Sequence, residues 1–560
     1  MNFEQLLNDM TLDEKLGQMF LLAFEKHRLD EARVLFEEYF VGSSYISNDN
    51  VPTINKAVEL TTQLQNFAAR TRLKIPLILG VDQEGAWGVI VPESCTGPGN
   101  MALGATHNPD DAYAVYQVYG NELRAVGLNA IFAPSADCNS NPHNSIIGMR
   151  AFGEKPRLVA AMTEAAVRGA HAGGIITTIK HFPGHGDTRL DSHRGIPRVE
   201  RTRAELDAID LYPFTSGIKA DSDMVMTSHI IFSAIDQDNP ATLSSIILGD
   251  VLRGEMGFDG VIISDSMNMQ AILKNYTSSE AAIRAFNAGV DLLMLAEEHY
   301  SHNAAAYLEQ QTSLIRAVKA AVESGRLPLE RVNDAVRRVL RLKQKFADVL
   351  REQPSIERAV TNVGSDANRQ VELEASRHAV EVFSDKFHHL PIAPARSIIL
   401  INTTARTSYE ILGATRGIGP NQTTPAFDYF LEAMRGKFSQ LDVRSADDMR
   451  QSTIKSAIGS VELIIAVTEN YPLPGVDFDQ TSQLEIIKQL VAIVPDRLIV
   501  VALRDPYELA DLPELPAYVC AFSFRPCAAQ AAVEVLGGQV QPTGKSPVSI
   551  PNTHFVANEM

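Results

Sequence analysis

The chain has 560 residues, more than one ordinary domain holds, so we expect two or three domains unless one is a large α/β barrel. Its 45% hydrophobic and 21% charged residues are typical of a globular protein with a core of normal size. The formal net charge of −18 argues against a nucleic-acid or anionic-membrane partner, because both favour a basic surface.

The N-terminal segment and the cysteines favour a reduced, cytoplasmic protein. The sequence begins MNFEQLLNDMTLDEK, which is acidic and lacks the apolar core of a signal peptide. No run approaches the roughly 18 apolar residues of a membrane-spanning helix, so we expect no membrane insertion. The four cysteines form no CxxC pair, which predicts reduced thiols and no zinc ribbon.

Eight short apolar runs alternate with helix-period segments over the first two thirds of the chain. The runs are MFLLAF (19–24), VGSSYI (41–46), PLILGVD (76–82), NAIFAPSAD (129–137), GIITTIKHF (174–182), MVMTSHI (224–230), GVIISDS (260–266) and DLLMLA (291–296). Eight strands that alternate with helices predict a (β/α)8 barrel of the TIM type.

Polar residues capable of chemistry lie at the ends of five of these runs. They are Asp82 and Glu84, Asp137 and Asn139, Lys180 and His181, His229, and Asp265. The carboxyl ends of barrel strands meet on one face, and that face is where a barrel enzyme builds its site. Helix caps and turns also use Asp and Asn, which explains any single position but not all five runs together.

The last third of the chain predicts a second, smaller α/β sandwich. A charged helix, AVESGRLPLERVNDAVRRVLRLKQKF, follows the barrel, and the polar stretch REQPSIERAVTNVGSDANRQ is typical of a connector. The later runs SIILINT, ELIIAVTEN, RLIVVALRD and YVCAFSF predict buried parallel strands. We therefore expect a catalytic barrel with its trailing helix over 1–350, a linker over 351–390 and the sandwich over 391–560.

The segment IKHFPGHGDTRLDSHRGIP (179–197) concentrates charged and imidazole side chains. Glycine and proline interrupt it, so it is a loop rather than a helix. His and Asp are metal ligands, but this spacing does not fix a tetrahedral set and no HExxH motif is present. We therefore expect neither a metal nor another cofactor, and a hydrogen-bonded structural histidine explains His185.

An Asp–His pair and a separate carboxylate suggest the chemistry. Asp191 and His193 are two residues apart, so on extended backbone their side chains point the same way, and the carboxylate would orient the imidazole as a proton donor. Asp265 ends a buried apolar run, where a carboxylate costs free energy unless it is used or paired. Retaining glycoside hydrolysis needs a carboxylate nucleophile and a separate acid/base, here a histidine.

Five segments resemble glycoside hydrolase family 3, in its NagZ-like, two-domain β-N-acetylglucosaminidase branch: VDQEG, IGMRAFG, KHFPGHGDTRLDSH, MTSHI and GFDGVIISDSMNM. They cover the barrel in order, and the KHFPGHG…DSH signature is highly specific. The segments VVALRDPYEL and PTGKSPVSIP resemble the family's second domain more weakly. The resemblance implies a retaining exo-β-N-acetylhexosaminidase that releases terminal β-linked GlcNAc, or GalNAc, from a carbohydrate substrate.

The same resemblance implies a role for each site residue. Asp265 is similar to the nucleophile that forms a covalent glycosyl-enzyme, His193 to the acid/base and Asp191 to its orienting partner. The residues expected to bind the substrate are Asp82, Arg150, Lys180, His181, His229 and Met269. Carboxylates and cationic donors suit the hydroxyls of a pyranose ring. A buried strand-end histidine explains His229 equally well.

One departure from the family and three other functions stay open at this stage. Ala86 and Trp87 replace a Gly-Arg pair, and Trp87 either stacks on a sugar face or fills the space of the arginine. A phosphorylase of the same family would let phosphate attack the glycosyl-Asp265 intermediate. Two alternative functions belong to other classes: a non-catalytic sugar-binding protein, and a lyase with a Schiff base on Lys180. The sequence does not predict the oligomeric state.

Overall fold

The computed structural model describes the chain except for residues 1–2, 26–27, 86–90, 189–195, 297–303, 415–423, 452–457, 460 and 471–478. Its first part contains eight short strands, each within one of the eight apolar runs. They are β1 (Phe20–Leu22), β2 (Ser43–Tyr45), β3 (Ile78–Val81), β4 (Ala130–Ile131), β5 (Thr178–Phe182), β6 (Met224–Thr227), β7 (Val261–Ile263) and β8 (Leu293–Leu295).

The eight strands are parallel and close into a barrel. One sheet has the order β8-β1-β2-β3-β4 and another has the order β5-β6-β7. Isolated bridges join the two sheets on both sides, through Ala130 and Ile176 on one side and Ile263 and Leu292 on the other. The predicted (β/α)8 barrel is therefore confirmed. A minor sheet pairs Arg198–Val199 with Ile231–Phe232.

Helices surround the barrel strands, and local sequence explains where several of them begin. Asn108 caps one helix with its side chain and Pro109 occupies the first turn, where its missing N–H costs nothing. The helices are Phe3–Asp9, Leu12–Gly17, Leu29–Glu37, Ile54–Arg70, Asn100–Thr106, Pro109–Ala125, Pro156–Ala172, Arg203–Glu205, Leu211–Lys219, Gln270–Leu273, Ser278–Ala288, Ala304–Glu323, Leu329–Lys345 and Ala347–Arg351, with π-helical turns at Leu206–Asp210 and Ile246–Glu255 and 3₁₀ turns at Asn48–Asn50, Gly148–Arg150 and Ala241–Leu243.

The barrel interior is a packed core. Side chains that point inward from the strands, such as Leu21, Ile78 and Phe132, form one buried cluster. Val339 and Leu342 of the trailing helix belong to the same cluster and close the amino end. Since the interior is filled, a ligand would meet the barrel at the carboxyl ends of its strands, the face where barrel enzymes build their sites.

The second part contains a six-stranded sheet. Its strands are β9 (Glu381–Asp385), β10 (Ile398–Asn402), β11 (Leu441–Arg444), β12 (Leu463–Thr468), β13 (Leu498–Ala502) and β14 (Ala517–Cys520). The order is β9-β14-β13-β12-β10-β11, and every pair is parallel except β9 with β14. Its helices are Arg406–Ala414, Ala426–Lys437, Ala446–Gln451, Gln480–Ile493 and Pro526–Leu536, with 3₁₀ turns at Pro495–Arg497 and Tyr507–Ala510. This is the predicted α/β sandwich.

The stretch 351–390, expected as a linker, contains regular structure. It holds the helices Ile356–Asn362 and Asp366–Ala379, and it ends with β9, which pairs with the second sheet. Met101 and Met149 of the barrel part lie in the hydrophobic core of the second part. The exact domain limits stay a prediction, because this stretch packs against both parts.

Candidate active site

Polar side chains from the carboxyl ends of six strands lie together at the mouth of the barrel. Arg150 joins them from the 3₁₀ turn Gly148–Arg150. The strand-end residues are Tyr45 on β2, Asp82 and Glu84 after β3, Asp137 after β4, Lys180 and His181 on β5, His229 after β6 and Asp265 after β7. The structure therefore brings together most of the residues that the sequence had placed at strand ends.

Lys180 bridges two carboxylates. Its Nζ donates to Asp82 Oδ1 at 2.6 Å and to Glu84 Oε1 at 2.6 Å. The other oxygen of Asp82, Oδ2, accepts from the Tyr45 hydroxyl at 2.9 Å. Burial alone would lower the pKa of Lys180, but the charges of the two carboxylates outweigh it and raise that pKa. A lysine that is held protonated in this way is poorly suited to form a Schiff base.

Arg150 continues the same hydrogen-bonded chain. Its Nε and Nη2 bind the Glu84 carboxylate through both oxygens, at 2.9 and 3.0 Å. Nη2 also lies 3.2 Å from His181 Nε2. Because a guanidinium only donates, this ring nitrogen accepts, and Nδ1 of His181 donates its proton to Asp137 Oδ2 at 2.8 Å. Burial would raise the pKa of Glu84, but Arg150 and Lys180 hold it at about 2.

Asp137 anchors the turn that follows β5. Its carboxylate is fully buried and accepts from the backbone N–H groups of His181 and His185 and from the Ser135 hydroxyl. Burial would raise its pKa, but the neighbouring His181 outweighs that effect and the pKa is lowered. Burial also lowers the pKa of His185 to about 4, so this histidine is neutral. Because of these contacts, Asp137 holds other residues of the site in place rather than binding the substrate itself.

Asp265 is the carboxylate at the mouth with the fewest described hydrogen bonds. Its Oδ1 accepts from the backbone N–H of Ser266 at 2.7 Å, and the residue is partly exposed. Burial would raise its pKa, but the nearby His181 and His229, the Ser266 N–H and Lys180 together lower it. An ionised carboxylate with spare lone pairs at a barrel mouth has the properties of a nucleophile.

His229 and Met269 lie beside the turn that carries Asp265. His229 Nε2 lies 3.0 Å from the Ser266 carbonyl, which can only accept, and Nδ1 lies 2.8 Å from the Thr242 hydroxyl. Since both ring nitrogens have protein partners, His229 is placed to hold this turn. Burial lowers its pKa, so the ring is neutral. Met269 is partly exposed, and its backbone N–H donates to the Ser266 carbonyl at 3.1 Å.

Three residues singled out in the sequence lie outside the described part of the chain: Asp191, His193 and Trp87. The two chain segments that flank 189–195 are described and are anchored. On one side the Asn141 side chain donates to the Thr188 carbonyl at 3.1 Å. On the other side Arg201 forms an ion pair of 2.5 Å with a buried aspartate and donates to Ser140 Oγ at 2.6 Å.

The second part of the chain contacts the loops of the mouth. Asn139 Nδ2 donates to the Tyr507 hydroxyl at 2.9 Å. Arg525 Nε donates to the carbonyl of Gly85, directly after Glu84, at 2.6 Å. Sequence reasoning found neither Tyr507 nor Tyr45, because a tyrosine hydroxyl carries no spacing signal. The contact of Tyr45 with Asp82 depends on which strands pair, and residue spacing does not show that pairing.

Among the described residues, no group of three or more His, Cys, Asp or Glu side chains could hold a metal ion. Within the same residues, no helix combines the length and the apolar character that crossing a bilayer requires.

Two family models match the chain. The Glycosyl hydrolase family 3 N terminal domain matches residues 11–342, and the Glycosyl hydrolase family 3 C-terminal domain matches residues 384–557. The first match covers the barrel with its trailing helix. The second covers five strands of the six-stranded sheet and the last two residues of β9.

Individual relatives extend over nearly the whole chain. Beta-hexosaminidase A of Pseudoalteromonas piscicida is 29% identical over 507 residues, which cover 86% of this chain and 82% of the relative. A Beta-N-acetylglucosaminidase/beta-glucosidase of Cellulomonas fimi is 25% identical and covers 97% and 94%. The solved glycoside hydrolase family 3 beta-N-acetylglucosaminidase from Paenibacillus sp. str. FPU-7 superposes with a TM-score of 0.82 at 30% identity, over 97% of this chain and 99% of that one.

Proposed function

The chain belongs to glycosyl hydrolase family 3, and on this premise we propose that it is a retaining, exo-acting β-N-acetylhexosaminidase that releases terminal β-linked GlcNAc or GalNAc. The observation that carries the proposal is Asp265. It is an ionised, partly exposed carboxylate at the end of β7, beside a fixed network of charged side chains.

The first chemical step uses Asp265 as the nucleophile. One of its carboxylate oxygens attacks C1 of the terminal sugar, and the bond from C1 to the leaving-group oxygen breaks. His193 gives that oxygen its proton, and Asp191 orients the imidazole. The product of this step is a glycosyl ester on Asp265 with the sugar configuration inverted once.

The second step returns the enzyme to its starting state. His193, now neutral, takes a proton from water, and the water oxygen attacks C1 while the bond to Asp265 breaks. Two inversions give net retention at C1. The lowered pKa of Asp265 supports both steps, because the carboxylate is ionised before attack and is a stable leaving group afterwards.

The rest of the mouth binds the terminal sugar. Asp82 has one donor on each oxygen and keeps acceptor capacity for ring hydroxyls. Lys180, Arg150 and His181 are held in fixed positions by the buried carboxylates of Glu84 and Asp137, which supports a preorganised pocket rather than one that forms on binding. The N-acetyl preference is supported by the activities for which the relatives are named, β-hexosaminidase and β-N-acetylglucosaminidase.

A panel of chromogenic substrates tests the proposal. We expect turnover of 4-nitrophenyl β-GlcNAc or β-GalNAc well above that of the β-glucoside, and NMR of the first product should show the β anomer. An α anomer would exclude the retaining mechanism. Absence of turnover on both N-acetylated substrates would favour a non-catalytic sugar-binding protein.

The same panel, run with and without inorganic phosphate, separates hydrolysis from phosphorolysis. Hydrolysis gives the free sugar in both buffers, with the same rate. Formation of a sugar 1-phosphate in the phosphate buffer would show that phosphate attacks the glycosyl-Asp265 intermediate, and the enzyme would then be a phosphorylase with the same nucleophile.

A further inference from the structure

Tyr45 lies at one end of the hydrogen-bonded chain at the barrel mouth. From Tyr45 the chain runs through Asp82, Lys180, Glu84 and Arg150 to His181 and Asp137. We propose that Tyr45 is a positioning residue that fixes the Asp82 carboxylate for the hydroxyls of the terminal sugar. This inference rests on the proposed function and adds a specificity-determining residue to it.

Asp82 is held from two sides. Lys180 Nζ donates to Oδ1 at 2.6 Å, and the Tyr45 hydroxyl donates to Oδ2 at 2.9 Å. With one donor on each oxygen, the carboxylate cannot turn about its own axis without breaking a hydrogen bond. Each oxygen still keeps a lone pair, because an ionised carboxylate has about four acceptor sites. The side chain of Asp82 is 19% exposed, so these lone pairs are within reach of a ligand.

Glu84 and Asp82 differ in exposure and in the number of protein donors that they accept from. The side chain of Glu84 is 0% exposed, and both oxygens accept from Arg150 while one also accepts from Lys180. It therefore has little capacity for a sugar and serves to hold the two cations. Asp82 has fewer protein donors and more exposure, so its orientation matters for binding. Without Tyr45, Lys180 would be the one described donor left on Asp82.

Packing, rather than Asp82, fixes the place of the Tyr45 ring. The residue is 9% exposed, and its ring stacks on Phe132, with centroids 6.0 Å apart and planes 6° apart. Both rings belong to the buried cluster inside the barrel. Tyr45→Phe therefore keeps the ring in its place and removes the hydroxyl that donates to Asp82, which makes the substitution a probe of positioning.

The expected effect is on recognition of the sugar. Loss of a hydrogen bond to a charged group corresponds to about a 10-fold or greater loss of binding at the sugar. We expect Tyr45→Phe to lower kcat/KM for the preferred N-acetylhexosaminide about 10-fold, mainly through KM. The thermal midpoint should stay within a few degrees of wild type, since the packed ring is retained.

The test combines Tyr45→Phe with Asp82→Asn and with deoxy substrates. A positioning residue that acts through Asp82 adds no further loss in the double variant. It also has no effect on the deoxy analogue that is insensitive to Asp82→Asn, because that analogue lacks the hydroxyl that Asp82 binds. Additive losses, or an equal loss on every analogue, would mean that Tyr45 has a general structural role and would overturn the proposal.

Tyr307→Phe is the matched control. Tyr307 is buried to a similar degree in the same cluster, but its hydroxyl donates to the backbone carbonyl of Leu295. We expect its kcat/KM to stay within about twofold of wild type. If wild type is active and Tyr45→Phe has wild-type kinetics, the positioning role alone is overturned. If wild type turns over no N-acetylhexosaminide, the proposed function fails and this inference fails with it.

Discussion

Both ends of the barrel contain charged side chains, but the two ends differ in how many protein hydrogen bonds those side chains form and in how exposed they are. At the amino end, Asp291 precedes β8 and is fully buried. Its oxygens accept from Arg253 and Arg331 at 2.6 and 2.7 Å and from the backbone N–H of Ile262 at 3.0 Å. At the carboxyl end, Asp265 has one described hydrogen bond and is partly exposed.

This difference distinguishes a carboxylate that stabilises the fold from one that can act on a substrate. A buried carboxylate that is paired with two arginines and has no exposed oxygen stabilises the fold and is out of reach of a substrate. A carboxylate that is kept ionised by its neighbours but retains free lone pairs can attack or bind. Burial of charge is therefore a weak indicator of function in this barrel, and spare acceptor capacity is a stronger one.

We expect the largest effect from a substitution of the nucleophile at the carboxyl end of the barrel. Asp265→Asn removes the nucleophile, so we expect kcat on a 4-nitrophenyl β-N-acetylhexosaminide to fall by at least about 10⁴-fold, since loss of a catalytic nucleophile can cost about 10⁶-fold. Unfolding in urea should show little loss of stability, because the amide replaces a group with one described hydrogen bond. Activity close to that of wild type would refute the assignment of the nucleophile.

The second prediction concerns the buried ion pairs at the amino end of the barrel. Asp291→Asn leaves Arg253 and Arg331 without their buried counter-charge, and we expect a loss of about 3–5 kcal/mol in the free energy of unfolding. The kcat of the folded fraction should stay within about twofold of wild type. Asp259→Asn is the control, since Asp259 also pairs with two arginines but is 64% exposed, so its loss should be under about 1 kcal/mol. Equal losses in the two variants would contradict the comparison.

The third prediction uses pH on Lys343, a buried cation at the amino end. Its Nζ donates to Gln18 Oε1 and to the Gly42 carbonyl, and burial lowers its pKa to about 7. The unfolded chain has a lysine pKa of about 10.4. Between these two values the unfolded state holds a proton that the folded state has released, so stability rises with pH.

Lys343→Met removes this titration. We expect the variant's stability relative to wild type to be most favourable at or below pH 7. That advantage should then shrink towards pH 10, by at most about 1.4 kcal/mol per pH unit. The measurement is urea unfolding at several pH values. Lys56→Met, at a position that is 62% exposed, is the control and should give a flat difference. A flat difference for Lys343→Met as well would show that the buried amine stays charged.

Periodicity predicted the barrel because its strands are buried on both faces and appear as continuous apolar runs. The same rule predicted β10, β12, β13 and β14 of the second sheet. It missed β9 and β11, because these edge strands are largely half-buried and have the polar sequences EVFSD and LDVR. An edge strand has no apolar run that distinguishes it from a polar loop.

The site was predictable to the extent that its residues end strands. Asp82, Lys180 and Asp265 could be placed on one face as soon as the strands were known. The hydrogen bond from Tyr45 to Asp82 could not, because it depends on the pairing of β2 with β3 and on the rotamers of both side chains. The proposed roles of Asp191 and His193 come from the family signature, and these residues lie outside the described part of the chain.

We expect the smallest effect at the contact between the mouth of the barrel and the second domain. Asn139 is buried beside the mouth, and its Nδ2 donates to Tyr507 of the second domain at 2.9 Å. Its Oδ1 is buried with no hydrogen-bond partner among the described residues. Tyr507→Phe would leave both polar ends of this amide unsatisfied, so we expect a loss of about 1 kcal/mol in stability.

Because Asn139 is two residues from Asp137, which anchors His181, the same change should also lower kcat/KM a few-fold. Tyr39→Phe removes a hydroxyl that accepts from Arg316 far from the site, and its kinetics should not change. A drop in stability for Tyr507→Phe with unchanged kcat/KM would mean that the second domain only packs against the barrel. A drop in both would mean that the second domain takes part in holding the site.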